Sequence, residues 1–432
     1  MNQLNHSASR IFVVIINFLT KESLSGILLF VSAVLAMIIA NSSLSEYYFS
    51  LLNTPIGIAF GEHTIAMDFK HWVNDFFMAL FFLLVGLEIK RELILGELSS
   101  MKKASFPIVG AIGGMVIPVF FYLIFNFDEN FAGFGVPMAT DIAFALGILL
   151  LLGNRVPLSL KIFLTSLAVI DDLGAVLVIA FFYTGSIKWI YLLYALGVLL
   201  LLYGLNRLGI KILVLYLLGG LVLWALVLLS GVHATIAGVV TAFVIPIRSK
   251  ISSVHFLNTL DAQLYRFNSQ ERMRQTLLLT HNQQDSLEVI RGAYEAVQNP
   301  LIRLEHYLHS ISAFVVMPVF AFTNAGIDLG SVDFEMNNIV IGVMLGLMLG
   351  KPVGIISFTY IFAKLKWIEK PSRLSWNHIV SAGILGGIGF TMSIFIANLA
   401  FDDSINQAVK IAIFISSLIM SAIGLLYLLK TK

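Results

Sequence analysis

Val169-Ile170-Asp171-Asp172-Leu173-Gly174 sits at the centre of a predominantly apolar run, residues 158 to 184. About 20 such residues cross the hydrocarbon of a bilayer as a helix, and only helices or closed barrels cross it without stranding backbone groups. The run therefore reads as a membrane helix with two acids at its midpoint. An ionisable side chain at that depth costs about 3 kcal/mol or more, so it faces the protein interior and marks a candidate functional position. With roughly 3.6 residues per turn, adjacent side chains point about 100° apart. One carboxylate can face a cavity while the other meets a neighbouring helix. A structural pair capped by polar neighbours is the plain alternative. Two like charges side by side in hydrocarbon repel each other and lose their hydration, which favours a site visited by a cation.

The rest of the chain has the same character. Of its 432 residues, 58% are hydrophobic and 12% charged, and cysteine is absent. Mean hydropathy is +0.91, outside the range of soluble domains. The net charge of +2 comes from basic residues scattered between apolar runs, with no dense stripe to bind nucleic acid. Without cysteine there is no disulfide frame, thiolate metal site or thiol nucleophile. Apolar runs predict twelve spans, at 23 to 42, 71 to 93, 104 to 126, 132 to 152, 158 to 184, 189 to 205, 211 to 229, 232 to 247, 304 to 325, 337 to 362, 376 to 401 and 407 to 429. Lys90, Arg91, Lys102, Lys103, Arg155, Arg207, Lys364, Lys366, Lys370, Arg373, Lys430 and Lys432 fall in alternate loops and at the end. The positive-inside rule makes those loops cytoplasmic, with both termini on that side. The opposite loops carry Asp128, Glu129, Asp328, Asp333, Glu335, Asp402 and Asp403.

Three segments stand apart from the spans. Residues 1 to 22 read as a retained segment at the cytoplasmic interface, since their apolar core has no small-residue cleavage site. The twelve spans divide into a block of eight over 23 to 247 and a block of four over 304 to 429. Between the blocks, 248 to 303 is a polar cytoplasmic insert, read as a solvated spacer. Its part from Asp285 to Val297 has helical composition, and Pro300 starts the next element. The outward segment 46 to 70 has room for a small β-hairpin.

Two more ionisable residues lie at span midpoints. Lys351 stands in Gly350-Lys351-Pro352-Val353-Gly354 and is a natural counter-charge for the aspartates. Gly342, Gly346, Gly350 and Gly354 recur every fourth residue, baring one helix face for close packing. Pro352 favours a kink there. Asp141 follows Gly135-Val136-Pro137-Met138-Ala139-Thr140, which should break its span, with Thr140 placed to cap the second half-helix. Gly386-Gly387-Ile388-Gly389-Phe390-Thr391 supplies a matching interruption in span eleven. Interrupted spans in corresponding places point to a transport site between inverted repeats, here spans three to five and ten to twelve. Asp141 would then offset half-helix N-termini, and Lys351 would offset C-termini. An intramembrane aspartyl protease built on Asp141 and Asp172 is a competing class. It needs two aspartates sharing a water rather than a nearby lysine, and the Gly-x-Gly-Asp pattern of such enzymes is missing. A retinal pump on Lys351 or a passive sodium channel fits less well.

Ala139-Thr140-Asp141-Ile142-Ala143-Phe144-Ala145-Leu146-Gly147, Val169 to Gly174, Ser230-Gly231-Val232-His233-Ala234-Thr235, Gly350-Lys351-Pro352 and Gly387-Ile388-Gly389-Phe390-Thr391-Met392-Ser393 together resemble the NhaA-type sodium/proton antiporters. The likeness covers nearly the whole chain except its ends and the insert. It implies an all-α polytopic membrane protein of about twelve spans, with inverted repeats and two interrupted, crossing helices. It further implies that Asp172 is the main sodium ligand, with Asp171 its neighbour in exchange and paired with Lys351. Asp141 and Thr140 would belong to the crossing. Glu88, Arg91, Glu92, Glu305, His306 and His309 match a cytoplasmic funnel tied to pH response, and Asp75 and His233 match further positions of interest. Ser310 and Ile311 follow His309 where the family usually has Pro-Trp.

A multi-pass bacterial inner-membrane antiporter is thus expected, a transporter and not an enzyme. It would carry Na+ or Li+ against H+ by alternating access, with no cofactor, as a homodimer contacting partly through the outward hairpin. Hydrogen-bonding structure is the simpler role for His233.

Overall fold

A computed structural model describes residues 21–60, 63–127, 130–153, 156–269, 279–330 and 335–430. The expected interfacial segment up to residue 20, together with Asp128, Glu129, Arg155, Asp333 and Lys432 of the charge reading, lies outside the described residues. Among the described residues the protein is helical apart from one hairpin. Among the described residues, nine helices are long and apolar enough to cross a membrane. They are Phe69–Ile94, Met101–Asn126, Phe131–Leu151, Leu158–Phe182, Trp189–Arg207, Leu213–Ser230, Pro300–Ala325, Asn338–Lys364 and Asp403–Lys430. Two bent pairs add to them, Leu24–Ala40 with Ser45–Leu52 at 117°, and Trp376–Gly386 with Phe390–Ala400 at 43°.

The eighth expected span is shorter than its hydropathy suggests, for only Thr235–Val244 is helical. At 1.5 Å per residue its ten residues cover about 15 Å, half a hydrocarbon core. Its start is set by Gly231, whose φ of 84° ends the preceding helix in the left-handed region open to glycine.

The segment 46 to 70 forms the anticipated hairpin, β1 Pro55–Phe60 against β2 His63–Asp68, antiparallel from Pro55 opposite Asp68 to Phe60 opposite His63. The insert adds a second helix to the helical stretch expected over Asp285 to Val297. Its helices Ser253–Ser269 and His281–Val297 pack on each other, and the second opens with a capping box between Thr280 and Gln283. Lys250 N and Ile251 N both donate to Ala296 O, closing the base of the insert at 2.9 and 3.2 Å. Pro300 takes the first turn of the next helix, with Asn299 accepting from Leu301 N.

The glycine face of Asn338–Lys364 lies on Met101–Asn126. A methyl group on Gly350 would stand 2.7 Å from Pro118 Cα, and one on Gly346 2.5 Å from Pro137 Cβ. That helix runs unbroken through a π-helical turn, Gly346–Gly350, immediately before Lys351 and Pro352. The wider turn absorbs the backbone bond that proline removes. Loops assigned to the same face also meet across the molecule. Lys70 pairs with Asp403 at 3.5 Å at the hairpin end, and Lys102 pairs with Glu369 at 3.1 Å at the other.

Candidate functional site

Both interrupted spans break at the residues expected, and the breaks cross. The first runs as a 3-10 helix Phe131–Met138, passes through an extended stretch, and resumes as Ile142–Leu151. The second breaks between Trp376–Gly386 and Phe390–Ala400. At the crossing the two chains satisfy one another. Asp141 N donates to Ile388 O at 2.7 Å, and Ser393 Oγ donates to Val136 O at 2.8 Å.

Asp141, not Thr140, caps the second half-helix, because its carboxylate can serve two helix starts at once. Oδ1 accepts from Phe144 N at 2.9 Å, while Oδ2 accepts from Thr391 N at 3.1 Å and from the Thr391 hydroxyl. The N-termini of both half-helices thus converge on one acid, where their exposed N–H groups and positive dipole ends favour negative charge. Thr140 is turned the other way. Its Oγ1 lies 2.9 Å from Asp171 Oδ2 and 3.1 Å from Gly386 O, and its single proton serves one of them at a time.

Lys351 completes the expected dipole pattern. Its Nζ donates to Met138 O at the end of the first half-span, and to Asp171 Oδ2 at 2.7 Å. Lys351 is 0% exposed, and Asp171 and Asp172 are 1% and 2% exposed. Asp171 Oδ1 is buried without a partner. Among the described residues Asp172 takes part in no hydrogen bond or ion pair, so the two adjacent acids are chemically unequal. Glu88, Asp141 and Lys351 act electrostatically on Asp172 as well as Asp171 does.

Helices Phe69–Ile94 and Pro300–Ala325 bring the acid and histidine cluster together. Arg91 bridges Glu92 Oε1 at 3.0 Å and Glu305 Oε1 at 3.1 Å, while His309 Nδ1 stands 3.9 Å from Glu88 Oε1. Glu92 also accepts from Glu97 N at 3.1 Å, which turns the chain after the helix. His306 lines a cleft together with Tyr294 and Gln298 of the insert and with Arg303 and Tyr307. Asp75 sits in a π-helical turn, Val73–Phe77, whose backbone accepts from Trp224. His233 Nε2 hydrogen-bonds Tyr183 O at 2.6 Å. Neither Asp75 nor His233 shares a hydrogen bond with the aspartate pair.

Sequence reading missed three participants. Thr391 and Ser393 lie in a motif quoted for its glycines, and their hydroxyls are what stitch the crossing. Lys90, counted only as a loop charge, is buried and donates to Phe243 O at 2.7 Å, closing the end of Thr235–Val244. Its proximity to the end of an apolar run was the only available signal.

Known proteins place this arrangement. The family model described as Na+/H+ antiporter 1 matches residues 16–428. The chain is 51% identical over 417 residues to a protein of Wolinella succinogenes named Na(+)/H(+) antiporter NhaA, covering 96% of this chain and 92% of that one. A protein of the same name from Helicobacter pylori strain G27 is 52% identical over 417 residues, covering 95% and 94%. Na(+)/H(+) antiporter NhaA 2 of Helicobacter hepaticus is 47% identical over 426 residues, covering 98% and 96%. With the family model spanning nearly the whole chain and relatives near half identity over their full length, the chain belongs to the NhaA family of sodium/proton antiporters.

Proposed function

We propose that this protein exports Na+, and Li+ in its place, from the cytoplasm in electrogenic exchange for protons, with both ions competing for Asp171 and Asp172. The observation that supports this reading most is the inequality of the pair. Asp171 is held by Lys351 and Thr140, while Asp172 beside it is buried without a partner. A carboxylate oxygen cannot hold a proton and a metal ion together, so arrival of one expels the other. Asp172 is the cation's main oxygen ligand. Asp171 is released from Lys351 when the cation binds and returns to it when the cation leaves.

The crossing is the pivot. Because Asp141 gathers both half-helix N-termini and Lys351 meets Met138 O, the broken backbone can shift without stranding its dipole ends. Alternating access follows from movement of the crossing against the surrounding helices, opening Asp172 first to the face with the Glu88 and Glu305 cluster, then to the hairpin face. The charge reading makes the first face cytoplasmic, with both termini there, in a bacterial inner membrane. The cluster on that face sets the pH response. The hairpin joins two copies into a dimer.

If both carboxylates, or one of them and the lysine, change protonation in each cycle, more protons than sodium ions cross and charge moves. Each elementary charge is then worth about 2.3 kcal/mol per 100 mV of membrane potential. In proteoliposomes with an imposed potassium-valinomycin potential, sodium flux should accelerate when the potential favours proton entry. Flux indifferent to voltage would remove electrogenic exchange while leaving exchange itself in place.

A further inference from the structure

Four asparagines outside the cation site form a one-way chain of side-chain amides. Asn406 Nδ2 donates to Asn398 Oδ1 at 2.8 Å, Asn398 Nδ2 to Asn324 Oδ1 at 2.7 Å, and Asn324 Nδ2 to Asn74 Oδ1 at 2.9 Å. Each stands on a different element: Asn406 on Asp403–Lys430, Asn398 on Phe390–Ala400, Asn324 on Pro300–Ala325, and Asn74 on Phe69–Ile94. Asn324 and Asn406 are 1% and 3% exposed. None of the four touches the aspartate pair.

The chain's position gives it meaning. Asn398 follows Thr391 by seven residues, about 10 Å along the half-helix at 1.5 Å per residue. One end of that half-helix therefore holds Asp141 and the other holds the amides. Asn74 opens the helix whose far end carries Glu88 and Arg91. The amides thus tie the crossing to three helices around it, Asp403–Lys430, Pro300–Ala325 and Phe69–Ile94, on the hairpin side of the aspartates. Beside them Thr323 Oγ1, Asn406 Oδ1 and Gln407 Oε1 are buried acceptors with no partner. A layer built to stay shut would be apolar or fully bonded, since buried polar groups are nearly always satisfied. Spare oxygens in a neutral layer suit one that water re-enters.

We propose that the Asn398–Asn324 amide bond is a latch that seals the hairpin-side route to Asp172 and is released once in every transport cycle. This rests on the alternating access described under Proposed function. Amides suit a latch because they carry no charge and do not titrate near neutral pH. Release then follows the movement of the crossing rather than protonation of the latch itself.

The natural chain has no cysteine, so Asn324→Cys combined with Asn398→Cys carries the only two thiols. In proteoliposomes, joining them with a short bis-methanethiosulfonate should stop sodium-dependent proton movement, and dithiothreitol, which reduces the two disulfides so formed, should restore it. A bridged protein that exchanges at its unbridged rate would overturn the latch. Should the double variant fail to fold or exchange before bridging, Thr323→Cys with and without Asn398→Leu decides the question. The Asn398→Leu change should speed labelling of that thiol by a membrane-impermeant reagent from the hairpin side, and an unchanged rate overturns the proposal. Absence of sodium-dependent proton movement in the natural protein would instead refute the transport reading, and the labelling rate would still judge the seal.

Discussion

Lys351 places one ammonium between a backbone carbonyl and a carboxylate in a site with no exposure to solvent, and that position sets the stakes of its replacement. Removing one member of a buried ion pair leaves the other charged and unpaired, which costs roughly 3–5 kcal/mol. Lys351→Met should therefore lower the thermal unfolding temperature in detergent by an amount that Asp171→Asn in the same chain largely restores. A double-mutant cycle on unfolding temperatures checks this, and additive losses would mean the pair contributes no coupling. Asp172 offers the opposite case. With no partner to lose, Asp172→Asn should leave the unfolding temperature close to that of the natural protein and abolish sodium-dependent proton movement in everted vesicles. Retained transport would take Asp172 out of the ligand role.

Among the elements, helix pairs rather than single helices carry the devices. The glycine face of Asn338–Lys364 lets the lysine helix approach Met101–Asn126 closely enough that even a methyl group at Gly350 would collide with Pro118. Close approach carries Lys351 to the crossing. The clasp between Phe69–Ile94 and Pro300–Ala325 works differently, through charges at the edge of solvent. Arg91 bridges Glu92 and Glu305, and His309 Nδ1 approaches Glu88 Oε1 to 3.9 Å. On the pH role proposed for the cluster, Glu305→Gln, which removes one charge from the Arg91 bridge, should displace the pH dependence of exchange in everted vesicles. An unchanged pH profile with unchanged maximal rate would take the cluster out of pH control.

For the whole molecule, the two ends differ in kind. One end carries the insert, the clasp and the Lys102–Glu369 pair, and the other carries the hairpin and the Lys70–Asp403 pair. A two-stranded sheet leaves each strand with one unpaired edge, ready to pair with another chain. A second copy related by a two-fold axis would meet the first edge to edge. On the proposed dimer through the hairpin, replacing residues 55–68 with a short Gly-Ser turn should leave a monomer by light scattering in detergent where the natural protein gives a dimer, with exchange per chain preserved. A dimer that survives the replacement would place the contact elsewhere. The amide chain belongs to this scale too, since it joins elements far apart in sequence across the hairpin half of the bundle.

The sequence by itself determined the membrane class, the order of the apolar runs, the two interruptions and the acids and lysine at mid-depth. Hydropathy and the cost of an intramembrane charge are properties of a residue and its near neighbours, so they can be read along the chain. Even there a purely local reading had limits. Residues 232 to 247 are apolar enough for a span, yet Gly231 and the turn after it leave a ten-residue helix. In the insert, the pairing of Ser253–Ser269 with His281–Val297 depends on packing that composition does not express. Partner choice was decided only in three dimensions. Asp171 meets a lysine 180 positions away, and Asp141 rather than Thr140 became the cap because Thr391, 250 positions on, brings a second helix start to the same carboxylate. Which oxygen is sealed, which is shared and which acid stays unpartnered follow from the crossing of two broken helices, a contact no local pattern encodes.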